Sequence, residues 1–162
     1  MSPQEYLATL QEFFQGEVTG EAMFGALAQS LDNPEHRYQM RVLEQLERET
    51  KELLRENVKR LGGETTESSA AREMGISQAK ALAAMPWPKF IHIFRREVAK
   101  FVARFEEVEK SGPASDAKLL AAVTAHERAL HSYSERESCG AEDALAPVIS
   151  LLRAVPARHL QG

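Results

Sequence analysis

The sequence lacks what several common classes of protein require. Cys139 is the only cysteine among 162 residues, which excludes an internal disulfide and a cysteine-rich metal site. No apolar run approaches the ~18 residues of a transmembrane helix, so we expect no membrane association. The amphipathic start, MSPQEYLATLQEFF, is typical of a first helix and not of a signal peptide. With few cysteines and no such signal, we expect a cytoplasmic protein.

The chain also lacks a strong charge of one sign. It carries 24 acidic and 20 basic residues, interleaved along its length, for a net charge of −4. Because nucleic-acid binding normally needs a basic surface, we expect no nucleic-acid partner. The apolar fraction of 43% and the charged fraction of 27% are typical of a globular protein. The length suits one hydrophobic core, and we predict a single domain over residues 1–162.

Apolar residues recur at the spacing of a buried helix face over four long segments. Two turns, each containing a proline, separate these segments into pairs. Since a short turn between long helices makes them pack side by side, each pair is predicted to be an antiparallel hairpin. We predict the four helices at residues 3–31, 35–61, 87–110 and 116–138.

Residues 64–86 differ from these segments, since they are polar at first and then rich in alanine. We interpret them as a long crossover that carries one or two short helices and joins the two hairpins. A shorter fifth helix is predicted at residues 145–154, with a loose tail after it. The predicted fold class is therefore all-α, an antiparallel four-helix bundle with a long crossover and a short C-terminal helix.

Four glutamates lie on or beside the apolar faces of the four long helices. Glu21 and Glu47 are each 13 residues from position 34, and Glu97 and Glu127 are each 15 residues from position 112. Residues equally far from the turn of a hairpin lie side by side, here at depths of roughly 20 and 22 Å. The four carboxylates are thus expected in one layer. Buried like charges are costly, and two divalent metal ions bound there would neutralise them.

In this arrangement the chain resembles the ferritin-like superfamily, which includes rubrerythrins and other di-iron carboxylate proteins. In that family two helices each supply a glutamate, and two supply a Glu-x-x-His motif. Glu21, in GEAMF, and Glu97, in RREVAKF, match the single glutamates, and Glu47 and Glu127 match those of the two motifs. The resemblance implies two iron or manganese ions and oxidoreductase chemistry. The implied partner is dioxygen, peroxide or a small apolar molecule.

Both histidines of the family motif are replaced, by Thr50 and Leu130. His131 follows Glu127 by four residues and is our candidate for a replacement ligand. His126, next to Glu127, is a second candidate. Glu17, one turn before Glu21, can also contribute.

The same residues allow a metal-free interpretation. The glutamates can lie at the edges of their helix faces and pair with Lys51, Lys100 or Arg128. The protein would then be a helical bundle with a binding or structural role, in which no metal takes part. Under either interpretation we expect a homodimer. For the enzyme, we expect a substrate pocket lined by Phe24, Phe94, Phe101 and Tyr133.

Overall fold

The structure, a computed structural model, describes residues 1–158. It confirms the all-α prediction, since these residues form helices, turns and loops but no strand. Each of the four long helices is found within one residue of its predicted ends. The helices are α1 (Pro3–Ser30), α2 (Pro34–Arg60), α3 (Ser69–Ala83), α4 (Trp87–Ser111), α5 (Ala117–Ser138) and α6 (Ala146–Ile149), with a 3-10 turn at Ala114–Asp116 before α5.

Local side-chain chemistry sets the ends of the first hairpin. Helix α1 begins at a capping box, in which Ser2 accepts a hydrogen bond from the Glu5 amide and the Glu5 carboxylate accepts one from the Ser2 amide. Helix α2 begins where the Asn33 side chain accepts hydrogen bonds from two backbone amides. Its end is followed by Gly62, whose φ of 81° favours glycine.

The two hairpins, α1–α2 and α4–α5, pack against each other through two apolar clusters. One cluster includes Phe24 and Phe94, whose rings meet edge to face at 5.8 Å. The other includes Phe13 and Phe105, which stack at 3.8 Å. Buried polar residues of α2 and α5 lie between these clusters along the helices. The fold therefore places a polar layer in the middle of its core.

The connection between the hairpins contains a single helix, α3, which packs against α1. Gly75 allows this close approach, because a Cβ there would lie 3.0 Å from the Met23 backbone nitrogen and would overlap the Thr19 carbonyl. The Thr19 hydroxyl also donates to the Ala71 carbonyl at 3.0 Å. Helix α3 thus covers α1, and its Ala79 joins the apolar cluster that contains Phe24.

The C-terminal segment differs from its prediction. Helix α6 spans only Ala146–Ile149, and the helix predicted at residues 145–154 is wrong beyond that point. The Glu49 carboxylate accepts hydrogen bonds from the amides of Arg153 and Ala154, at 2.8 and 3.2 Å, and so draws the chain onto α2. The Tyr38 hydroxyl then donates to the Pro156 carbonyl at 2.9 Å. The predicted loose tail is therefore bound along α2 as far as Arg158, and residues 159–162 lie outside the described part.

None of the helices among residues 1–158 has both the length and the apolar character needed to cross a bilayer.

Candidate metal centre

Three helices bring two carboxylates and an imidazole together in the polar layer. Glu17 of α1, Glu47 of α2 and His126 of α5 each offer one ligand atom, and these three atoms lie within 4.8 Å of one another. The residues are only 2%, 5% and 1% exposed, respectively. Among residues 1–158 this is the group of histidine and acidic side chains that could hold a metal ion.

Helix α2 fixes the His126 ring at both nitrogens. Nε2 lies 3.1 Å from Oε1 of Glu47, and Nδ1 lies 2.6 Å from the Thr50 hydroxyl. Burial lowers the pKa of His126, but the negative charge of Glu47 and the hydrogen bond to it outweigh burial and leave the pKa raised. Thr50, three residues after Glu47 on α2, thus orients an imidazole that α5 supplies.

Glu17 contributes a buried carboxyl group that lacks a full set of partners. Its Oε2 atom lies 3.7 Å from Nε2 of His126 and has no hydrogen-bond partner among residues 1–158. Burial raises the pKa of Glu17 well above its ordinary value, and the negative charge of Glu47 adds to the effect. Burial beside a second carboxylate therefore favours the neutral form of Glu17.

Glu127 lies at the edge of the group. Its Oε1 atom is 3.9 Å from Nε2 of His126, and the residue is 7% exposed. Burial raises the pKa of Glu127 to about 7, against the opposing effect of His126. This carboxyl group can therefore change its protonation state near neutral pH.

Gly20 of α1 gives Glu47 room to enter the layer. A Cβ at position 20 would overlap Oε2 of Glu47 and lie 2.7 Å from its Cδ. No role was predicted for Gly20, and Thr50 was considered only as the replacement of a histidine. The sequence does indicate that both residues lie near Glu47, since Gly20 is almost level with it in the hairpin and Thr50 follows it by three residues.

The predicted layer of four carboxylates is wrong at Glu97. Its side chain is 54% exposed and pairs with Lys100 at 2.8 Å on the surface. Helix α4 buries Val98 with Phe94, and one residue further along a helix changes direction by about 100°. Phe101, one turn after Glu97, is 53% exposed for the same reason.

Glu21 and His131 also lie outside the central group. Oε2 of Glu21 lies 2.7 Å from Nζ of Lys51, and Oε1 lies 3.3 Å from Nε of Arg48. His131 is half-buried and pairs through Nδ1 with Glu135 at 2.8 Å. Of the five residues predicted as ligands, the structure thus brings Glu47 and Glu127 together, with Glu17 and His126 completing the group.

Three of the four residues predicted to line a substrate pocket pack against one another in the core. Phe94 meets Phe24 at 5.8 Å and Tyr133 at 6.2 Å, both edge to face. Phe101 faces solvent and does not join them. The three rings pack as part of the core.

Comparison of the chain with protein-family models, curated proteins and solved structures found no match.

Proposed function

We propose that this chain is a ferritin-like four-helix bundle that binds one divalent cation, iron or manganese, through Glu17, Glu47 and His126. The observation that carries the proposal is the buried Oε2 atom of Glu17, which has no hydrogen-bond partner in the part of the chain that the structure describes. A buried polar atom without a partner costs about 1–3 kcal/mol, so proteins rarely retain one without a use for it. A cation among the three ligand atoms would give Oε2 a partner.

The donor atoms suit such an ion. Carboxylate oxygen together with imidazole nitrogen is a donor set that iron and manganese accept. The Thr50 hydroxyl beside Nδ1 of His126 resembles the outer hydrogen bond that commonly orients a metal-bound histidine. These features favour an ion on the Nε2 side of the ring, where Glu17, Glu47 and Glu127 lie.

One ion fits this geometry better than the two implied by the family resemblance. A second ion would require the carboxylates of Glu21 and Glu97 as well. Glu97 is on the surface, and Glu21 is paired with Lys51. We therefore propose a site for one metal ion in place of a dinuclear centre.

We further propose that the site serves oxidoreductase chemistry with dioxygen, peroxide or a small apolar substrate. A bound iron or manganese ion would supply the exchange of electrons. Glu47 and Thr50 hold the imidazole in a fixed orientation, and the two apolar clusters limit access of water. Glu127, with a pKa of about 7, can hold or release a proton at Oε1 beside the ligand group.

The experiment is a metal titration of the wild type and two variants. Wild-type protein stripped with chelator should take up one manganese(II) or, without oxygen, one iron(II) per chain, followed by calorimetry and elemental analysis. Glu47→Gln should weaken binding by about 100-fold or more, because it removes a charged ligand. Glu97→Gln makes the same exchange on the surface and should bind as the wild type does.

Two results would overturn the proposal. The first is less than ~0.2 ion per chain after reconstitution in excess metal. The second is equal affinity in the wild type and Glu47→Gln. A rise in melting temperature with added metal, present in Glu97→Gln and absent in Glu47→Gln, would support the same conclusion without an activity assay.

One observation favours a second function: the charges of the buried polar layer can balance one another without a metal ion. A protonated His126 beside Glu47, a neutral Glu17, and Lys51 beside Glu21 leave little uncompensated charge. The chain would then be a metal-free bundle that binds a partner or forms a homodimer. Equal or higher stability of Glu47→Gln/Glu127→Gln, together with no metal uptake by the wild type, favours this function.

A further inference from the structure

We propose that Lys51 limits the site to one metal ion, because its ammonium group occupies the place of a second cation and holds Glu21 out of the ligand set. This inference rests on the proposed metal site. It identifies a residue that determines how many ions the protein binds.

Lys51 and Glu21 lie immediately beside the ligands. Lys51 follows Glu47 by one turn on α2, and Glu21 follows Glu17 by one turn on α1. The Lys51 residue is only 6% exposed, and its Nζ atom lies 2.7 Å from Oε2 of Glu21.

A buried lysine is unusual unless it is paired with acidic groups, and Lys51 is paired with two carboxylates. Its Nζ atom also lies 3.1 Å from Oε1 of Glu67, in the loop before α3. Glu67 has other cations, since Arg55 and Arg72 lie 2.8 and 3.0 Å from its oxygens. Loss of Lys51 would therefore leave Glu67 compensated.

Glu21 has fewer neighbouring cations than Glu67. Its remaining cation is Arg48, at 3.3 Å from Oε1, and Arg48 is 46% exposed and also pairs with Glu44 at 2.7 Å. Oε2 of Glu21 is buried. Without Lys51, the Glu21 carboxylate would lie one turn from Glu17 with only the half-exposed Arg48 to balance it among residues 1–158, and this uncompensated buried charge favours uptake of a cation.

The test compares the number of manganese(II) ions bound by wild-type protein and by Lys51→Ala. We expect one ion per chain in the wild type and two in Lys51→Ala, by elemental analysis and calorimetry. Electron paramagnetic resonance should detect the coupling of two neighbouring manganese ions in the variant. Lys51→Met, which keeps most of the apolar stem in the core, should also gain the second ion.

Three controls make the result specific. Lys100→Ala removes the lysine of a surface pair with Glu97, whose 2.8 Å spacing is close to the 2.7 Å between Lys51 and Glu21, and should stay at one ion. Glu21→Gln alone should keep one ion per chain, because Glu21 is paired with Lys51 and Arg48 and the ligand His126 is held by Thr50 and Glu47. Lys51→Ala/Glu21→Gln should return to one ion.

The outcomes separate this inference from the proposed function. One ion in both wild type and folded Lys51→Ala or Lys51→Met would overturn the inference alone. Loss of the single ion in Glu21→Gln would also overturn it, because Glu21 would then be a ligand while Lys51 is present; this measurement does not depend on the folding of the lysine variants. No ion in the wild type or in any lysine variant would overturn the proposed function and the inference together.

Discussion

The side chain of Glu47 lies against the backbone of Gly20, in the space that a Cβ at position 20 would occupy. Glycine inside a helix normally costs about 1 kcal/mol relative to alanine. Gly20 lowers the helix propensity of α1, but its missing side chain leaves space for a carboxylate of α2 to reach the middle of the core. The contact couples the backbone of one helix to the position of a ligand from another.

The first prediction is that Gly20→Ala destabilises the protein, although it improves helix propensity. The new methyl group would lie 2.7 Å from Cδ of Glu47, so the side chain or the helix must move. We expect a net loss of about 1–3 kcal/mol in the free energy of unfolding, measured in urea. Gly16→Ala is the control, because nothing lies within 4 Å of a Cβ there, and we expect a gain of about 0.5–1 kcal/mol. Equal gains in the free energy of unfolding of Gly20→Ala and Gly16→Ala would contradict the contact between Gly20 and Glu47.

The second prediction concerns pH and metal-free protein. The pKa of Glu17 is higher in the folded chain than its ordinary value of 4.5, so the folded state binds more protons above that pH. Its contribution to stability is therefore complete at low pH and declines as pH rises from about 4.5 towards the folded pKa, by up to about 1.4 kcal/mol per pH unit. Glu17→Gln, which mimics the neutral acid, should remove this decline.

The measurement is urea unfolding at several pH values from 4.5 to 8, with chelator present. The free energy of unfolding of Glu17→Gln, relative to that of the wild type, should increase steadily as pH rises. Glu12→Gln, an exchange at an exposed position of the same helix, serves as the control. A constant difference between Glu17→Gln and wild type across this range would show that Glu17 does not titrate as described.

The helices could be predicted from the sequence because their ends depend on local chemistry. Ser2, Asn33 and Gly62 act on the backbone within a few residues of themselves, so their effect is visible in the order of the residues. The short α6 could not be predicted in this way. Its end depends on Glu49, about a hundred residues earlier in the chain.

The candidate site was harder to predict than the helices, since it depends on the direction of each side chain. The apolar pattern of α4 allows either Glu97 or Val98 to face inward, and one residue is a rotation of about 100°. Val98 packs in the same apolar cluster as Phe94, and this packing decides in favour of Val98. The equal spacing of Glu21 and Glu47 from the turn indicated their depth correctly. It could not show that Glu47 turns towards Glu17 while Glu21 turns towards Lys51.

The third prediction separates the two histidines of α5. His126→Leu keeps a similar volume but leaves the Thr50 hydroxyl and Oε1 of Glu47 without their partner. We expect a loss of about 2–3 kcal/mol in the free energy of unfolding of metal-free protein. His131→Leu breaks a half-exposed pair with Glu135, and should change stability by no more than about 0.5 kcal/mol. Similar losses in both variants would contradict the assignment of His126 to the buried group.

The fourth prediction concerns the C-terminal segment on α2. Glu49→Ala removes the carboxylate that accepts the amide protons of Arg153 and Ala154, at 2.8 and 3.2 Å. These two amides should exchange with deuterium at least about tenfold faster, since opening of the segment then costs about 1.4 kcal/mol less. Glu52→Ala is the control, because the exposed Glu52 side chain pairs with Arg55 on its own helix. If exchange at positions 153 and 154 is unchanged by Glu49→Ala, other contacts hold the segment, of which the hydrogen bond from Tyr38 to the Pro156 carbonyl is the first to test.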